Sequence, residues 1–416
     1  MIGLRKYLPK KKLVENFSYV SLLEVFSLLA PFITYPYLVR VIGIDLYGVV
    51  ILAQVLASYA SLIIDFGSNK VCAKFVSENK DDKSKLSEIL CSVLCTRSLL
   101  WIICLVVYLI IVYIVPAYRE HWLLFFISYF LTAIDVLFPQ FFFQGIENMK
   151  VTSLLNIGIK LFFIGTVFVV VHSPEDYIFV PLLYAIGYSI AGMVSLSIIF
   201  FKMKIRFYVP SIKKILFYVK ESLSLFFTDF MVTIKGKLSY IFIGGFVSTS
   251  DVVVYDLGYK LSNVIGKPTQ IISVVMFPRF ARSKNVHKLK IATLFTFTII
   301  TILVIILNLF LPMIVPLFID RQVDLLPLRI LSLVPIFHSV GMMISQNFFV
   351  AFGYNKYLLY SIIISISAYV IALSVLFFSY KTLSLYSFVI VDMVFYITDI
   401  TYKLIKSKRI MSHHLK

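Results

Sequence analysis

Residues 251–279, DVVVYDLGYKLSNVIGKPTQIISVVMFPR, form a long apolar run with charges set into it. Asp256, Lys260, Asn263, Lys267 and Gln270 recur at steps of four, three, four and three. At 3.6 residues per turn these side chains fall within an arc of about 80° on one helix face. The stripe is about 21 Å long at the α-helical rise, a large part of a bilayer core. A helix that is apolar on three sides with lysines down the fourth cannot face lipid all round. Its charged face meets a water-filled cavity or partner charges. The alternative is a buried ladder of ion pairs that only holds helices together. Asp256 and Lys260 can pair at i,i+4, whereas no acid stands three or four residues from Lys267.

The rest of the chain agrees with a membrane. Of 416 residues, 60% are hydrophobic and only 14% charged, and the mean hydropathy is +0.95. A soluble chain would carry about twice that charge. Apolar stretches of spanning length number twelve, near 15–39, 46–66, 87–114, 122–143, 151–171, 177–201, 217–245, 251–277, 290–315, 325–350, 355–378 and 383–403. The expected fold is therefore all-α and polytopic. The basic start runs into a long segment containing Glu24 with no small-residue cleavage site, so it reads as an anchor that stays. The four cysteines form no CxxC pair and join no histidine cluster, so neither a metal site nor a disulfide framework is expected.

The formal charge of +18 would point to nucleic acid in a soluble domain. Its distribution points elsewhere. With the N-terminus inside, inner segments hold 28 of the 39 Lys and Arg, outer loops five, and spans six. That bias puts both termini in the cytoplasm and leaves no call for a nucleic-acid partner. The loop from Lys202 to Lys214 separates two six-helix lobes, 1–206 and 207–416, starting on the same side as a parallel repeat requires. Polar residues echo between them: Glu24 in span one and Asp229 in span seven, and Gln54, Ser58, Ser61 and Asp65 striping span two as span eight is striped. Transporters of this build place substrate where such stripes meet.

Other charges sit inside spans. Lys160 lies too deep in span five for easy snorkelling, so it points into a cavity or pairs with Asp135. Lys235 and Lys237 flank Gly236; an unbroken helix sends them opposite ways, and a break at the glycine could turn both inward. Asp399 and Lys403 have the spacing of a structural pair, while Asp392 is deeper. No phosphate-cradling glycine loop, GxSxG or HExxH is present, so no enzyme chemistry or cofactor is expected.

Several turns have a shared signature: Gly43-Ile-Asp-Leu-Tyr47-Gly48, Asp65-Phe66-Gly67, Phe143-Gln144-Gly145-Ile-Glu147-Asn-Met149-Lys150, His172–Tyr177, Tyr259-Lys260-Leu261, Met276-Phe277-Pro278-Arg279 and Phe352–Lys356. In this order the chain resembles the Wzx-type polysaccharide flippases of O-antigen synthesis, in the superfamily of the multidrug and toxin extruders. It departs at Asp256-Leu257-Gly258, where members usually carry small neutral residues. The resemblance implies a two-lobed extruder-like fold with alternating access and an inner-membrane location. It implies an undecaprenyl-diphosphate-linked oligosaccharide as substrate. Membrane lipid, a polysaccharide polymerase and a chain-length regulator are the expected partners, and H+ or Na+ the coupling ion. Lys160, Lys235, Lys237, Lys260 and Lys267 are then the candidate diphosphate cations, since ammonium groups bind phosphate as point charges. Asn263, Gln270 and Gln54 are candidate polar lining. Glu24, Asp65, Asp229, Asp256 and Asp392 are candidate coupling carboxylates. The competing readings are a multidrug or cation extruder, a peptidoglycan-precursor flippase of the same fold, and a membrane polymerase. A polymerase would be expected to have a large arginine-bearing outer loop that this chain lacks.

Overall fold

The structure, a computed structural model, describes residues 10–379 and 383–414. Arg5, Lys6, Lys381 and Lys416, counted above among the loop charges, lie outside these residues. Twelve long helical segments occur among the described residues, and no strand. They are α1 (Lys10–Ile42), α2 (Ile44–Glu78), α3 (Lys83–Ile114), α4 (Trp122–Gly145), α5 (Met149–Val170) and α6 (Pro174–Lys202). They continue as α7 (Ile212–Phe246), α8 (Thr249–Ser283), α9 (Val286–Phe318), α10 (Leu326–Val350), α11 (Lys356–Ser379) and α12 (Leu385–His414). Each expected span coincides with one of them. Nine meet the length and apolarity that crossing a bilayer requires. The protein is an all-α, multi-pass membrane protein.

Local signals explain where helices begin. Asp82 caps α3 by accepting from the backbone N–H of Ser84 at 2.9 Å and of Lys85 at 3.1 Å. Ser248 caps α8 by accepting from the N–H of Asp251 at 3.0 Å, and Asp251 lies in the first turn where a negative charge suits the helix dipole. Asn285 does the same for α9 through the N–H of Lys288. The side chains these helices turn outward are apolar: Leu99, Ile102 and Val106 on α3, Leu294, Leu309 and Met313 on α9, all more than half exposed. A helix with such a surface is solvated by lipid rather than water.

Contacts divide the chain into two compact units, Met1–Ile234 and Lys235–Lys416, the division falling inside α7. In the first unit α1 packs on α5, α5 on α6, and α6 on α4, while α2 packs on α3 and α4. Helix α2 turns at Phe66-Gly67, both in the left-handed region, and continues to Glu78 against the end of α4. Two glycines are fixed by close approach here. At Gly67, φ is +75° and a Cβ would come within 2.8 Å of the backbone N of Phe226. At Gly145, a Cβ would come within 2.5 Å of Val76, so the Phe-Gln-Gly turn is the place where α4 touches the extension of α2. In the second unit α10 packs on α8, α9 and α12, and α11 packs on α12.

Candidate functional site

The first unit contains a cavity of about 440 Å³ between α1, α2, α4, α5 and α6. Gln54, Ser58 and Ser61 enter it from α2, Thr132 from α4, Asn156 and Lys160 from α5, and Tyr184 and Tyr188 from α6. The apolar spacing of these helices explains the arrangement. Each turns its leucines, isoleucines and phenylalanines to neighbours or lipid, and the stripe at steps of three and four is what remains for the interior. Tyr184 is held by stacking on Phe163, with ring centroids 3.6 Å apart. Of the two alternatives for Lys160, the cavity is the one the structure adopts. Lys160 lines it and has no ion pair with Asp135 among the described residues. Amides, hydroxyls, tyrosine faces and one ammonium, with no carboxylate lining it, suit a ligand rich in hydroxyls and bearing negative charge.

At the end of this unit stands a charge cluster built on Arg97, which is fully buried. Its guanidinium pairs with the Asp65 carboxylate, donates to the Ser68 hydroxyl at 2.6 and 3.0 Å and to the Asp135 carbonyl at 2.6 Å, and lies over the Phe141 ring at 5.4 Å. The planar fork binds three segments at once, which a lysine could not do. Asp65 is thus engaged with Arg97. Asp229 is engaged with Lys70, whose ammonium donates to both its oxygens at 2.6 and 2.9 Å. Glu24 is exposed on α1.

The second unit has a denser network. Lys235 is 6% exposed and Asp392 fully buried, with 3.7 Å between ammonium and carboxylate. The ammonium also lies 4.3 Å from the ring centre of Phe395 and 3.9 Å from that of Tyr396, and donates to the Tyr259 hydroxyl at 3.4 Å. Asp392 accepts from the Tyr255 hydroxyl and, at 3.3 Å, from Ser239, which shares a hydrogen bond of 2.7 Å with Tyr369. Lys235 therefore sits in a box of one carboxylate and two aromatic faces. Helix α7 is unbroken through Gly236, so Lys237 takes another direction, with its ammonium 5.5 Å from the ring centre of Tyr240. Asp256 is buried and accepts from the Tyr240 hydroxyl at 3.1 Å and from Lys260, the pair its spacing predicts. Along the α8 stripe, Lys260, Lys267 and Gln270 are half-buried and Asn263 is exposed. Lys403 donates to Asp399 at 2.6 Å, also as spaced.

Two of these assemblies escape a reading of the sequence alone. Arg97 is one of six basic residues inside spans, and nothing near it in the sequence announces its partners. Ser239, Tyr255 and Tyr369 around Asp392 come from α7, α8 and α11, and only their polarity in apolar helices could have drawn attention to them.

Among proteins similar to this chain, one of Escherichia coli (strain K12) named "Putative O-antigen transporter" is 22% identical over 283 residues, 68% of each chain. One of the same name from Shigella dysenteriae is 27% identical over 189 residues, 44% of this chain and 46% of that one. Among solved structures, an inward-facing multidrug resistance MATE family transporter of the MOP superfamily aligns with a TM-score of 0.64 at 14% identity, covering 94% of this chain and 96% of that one. A MATE structure in the bent conformation aligns at 0.57 with 16% identity, covering 98% and 97%. A MOP superfamily transporter from Pyrococcus furiosus Vc1 aligns at 0.56 with 15% identity, covering 95% and 93%. These likenesses establish a MATE-like fold. The family described as "Polysaccharide biosynthesis protein" matches residues 13–284, from α1 through the α8 stripe, and this chain belongs to it.

Proposed function

We propose that this protein is a MOP-type exporter that moves a polyprenyl-diphosphate-linked oligosaccharide of a surface polysaccharide across the inner membrane by ion-coupled alternating access. Both termini lie in the cytoplasm in this reading, as the loop charges require. The observation that carries it is the cavity of the first unit. Its lining offers hydroxyl and amide partners, tyrosine faces and the Lys160 ammonium. Sugars need the first two, and an anionic group needs the third. An extruder of cationic drugs would favour carboxylates in that place.

Family membership and the named relatives support a transport role rather than an enzymatic one. Lys235 is already balanced by Asp392, and Lys260 by Asp256. Lys160, the ammonium that lines the cavity, is the first cation to test. Coupling is assigned to the carboxylates that hold cations, Asp65, Asp229, Asp256 and Asp392, and to Glu24, since protonation would release the partner and favour one access state. The test is flipping of lipid-linked oligosaccharide in proteoliposomes, with protein level followed in parallel. Lys160→Ala should lower flipping by about ten-fold or more, and Lys160→Arg should retain part of it. Active efflux of a cationic dye with no flipping would overturn the reading in favour of a drug extruder.

A further inference from the structure

The second unit carries an apolar groove that the transport reading does not use. Helices α9 and α12 each pack on α10 and scarcely on one another. The gap between them, floored by Val340, Ile344 and Phe348 of α10, has a volume of about 500 Å³. Ile344 and Phe348 are buried in the core beneath, whereas Leu294 and Leu404 on the two walls are 65% and 47% exposed. The hydroxyls along the groove are already satisfied. Thr293 donates to the Leu289 carbonyl at 2.9 Å, and Ser407 to the Leu404 carbonyl at 3.0 Å. What remains is a hydrocarbon surface.

Its mouth is different. Lys290 of α9 and Lys408 of α12 line it, both exposed and neither in an ion pair among the described residues. No lining residue is acidic, and the nearest acid along α12, Asp399, is held by Lys403. From Leu289 to Phe297 the wall runs about 12 Å along α9, close to the hydrocarbon depth of one leaflet.

We infer that this groove binds an anionic phospholipid of the inner leaflet, its phosphate between Lys290 and Lys408 and the upper part of one acyl chain against Ile344 and Phe348. Basic pockets between membrane helices on the cytoplasmic side hold anionic head groups in this way. The long polyprenyl chain of the proposed substrate would run past the end of a groove one leaflet deep, and two lysines, one from each wall, suit a single phosphate. The assignment to the inner leaflet rests on the proposed orientation; the site itself does not.

The experiment uses the full chain in detergent and native mass spectrometry, with phosphatidylglycerol, phosphatidylcholine and undecaprenyl phosphate as probes. Phosphatidylglycerol should bind about thirty-fold more tightly than phosphatidylcholine, at about five-fold for each lysine. Lys290→Gln with Lys408→Gln should abolish that preference, while Lys202→Gln with Lys213→Gln in the other unit should keep it. Leu404→Trp, which fills the groove from an exposed position, should weaken all phospholipid binding. If the double variant cannot be recovered, each single change should remove about five-fold. An unchanged preference in the lysine variants would overturn the site. Tighter, lysine-dependent binding of undecaprenyl phosphate would overturn the occupant. Reporter fusions at residue 207 test the orientation separately.

Discussion

Replacing Asp392 by alanine removes the carboxylate from a box in which nothing else is anionic. Lys235 would be left almost completely buried, with the faces of Phe395 and Tyr396 and the Tyr259 hydroxyl around it. Breaking a buried pair by deleting one partner costs about 3–5 kcal/mol. Stranding the Tyr255 hydroxyl adds about 1–3 kcal/mol, while the two cation–π contacts are present in parent and variant alike and cancel. The net expectation is a loss of about 4–8 kcal/mol. Asp392→Asn keeps an acceptor for Tyr255 and Ser239 and should cost less. Lys235→Met should cost less too, since both hydroxyl donors still stabilise the carboxylate. The double change, Lys235→Met with Asp392→Leu, replaces the buried ion pair by an apolar pair but still strands the Tyr255 hydroxyl, so its loss should be about 1–3 kcal/mol. Equilibrium unfolding in mixed micelles of the parent, Lys235→Met, Asp392→Leu and the double variant gives a double-mutant cycle. Additive single effects, with an interaction below about 0.5 kcal/mol, would refute the coupling of these two side chains. The same four proteins assayed for flipping decide the role of Lys235. A stable double variant that still transports removes it from the list of substrate cations.

Arg97→Lys should destabilise the first unit by about 3 kcal/mol, measured by the same unfolding assay, because an ammonium cannot serve Asp65, Ser68 and the Asp135 carbonyl together. Gly67→Ala should cost about 1–3 kcal/mol in that assay, from a left-handed backbone and a contact with Phe226 that only backbone movement relieves. For Lys260→Ala, a loss of about 1 kcal/mol is expected, since Asp256 keeps the Tyr240 donor; flipping that falls by more than ten-fold at normal protein level would show a role beyond this pair. Reporter fusions at Phe207 and at the C-terminal residue should both read cytoplasmic, and a periplasmic signal at either would overturn the charge-based orientation.

The helices were legible because twelve apolar stretches of bilayer length leave the chain few alternatives. Pairs within one helix were equally legible: Asp256–Lys260 and Asp399–Lys403 are fixed by a spacing of four. Lys160 was legible as far as its depth, and its surroundings then chose between cavity and ion pair. Contacts between helices were not legible. Arg97 meets Asp65 from α2 and a carbonyl from α4, and Lys235 meets Asp392 more than 150 residues later. No periodicity connects such positions, since helix rotation and register decide them. Gly236 misled in a milder way: a glycine permits a break, but within a membrane span every backbone group is best satisfied by continuing the helix.

The late partner of Lys235 bears on how the protein is made. Helices leave the ribosome in order, and a lysine or aspartate at the centre of a segment raises its cost of entry into the bilayer by about 2.5–3.5 kcal/mol. Helix α7 arrives with Lys235 and Lys237, and α8 follows with Asp256, Lys260 and Lys267. The Asp256–Lys260 pair is internal to α8 and can enter already closed. Lys235 has no such relief until α12, the last of the described helices, emerges with Asp392. Until then the nascent second unit holds an unneutralised charge at bilayer depth. Chains interrupted before α12 should be held at the insertion machinery or degraded, whereas chains interrupted after α6 already hold Arg97 closed on Asp65.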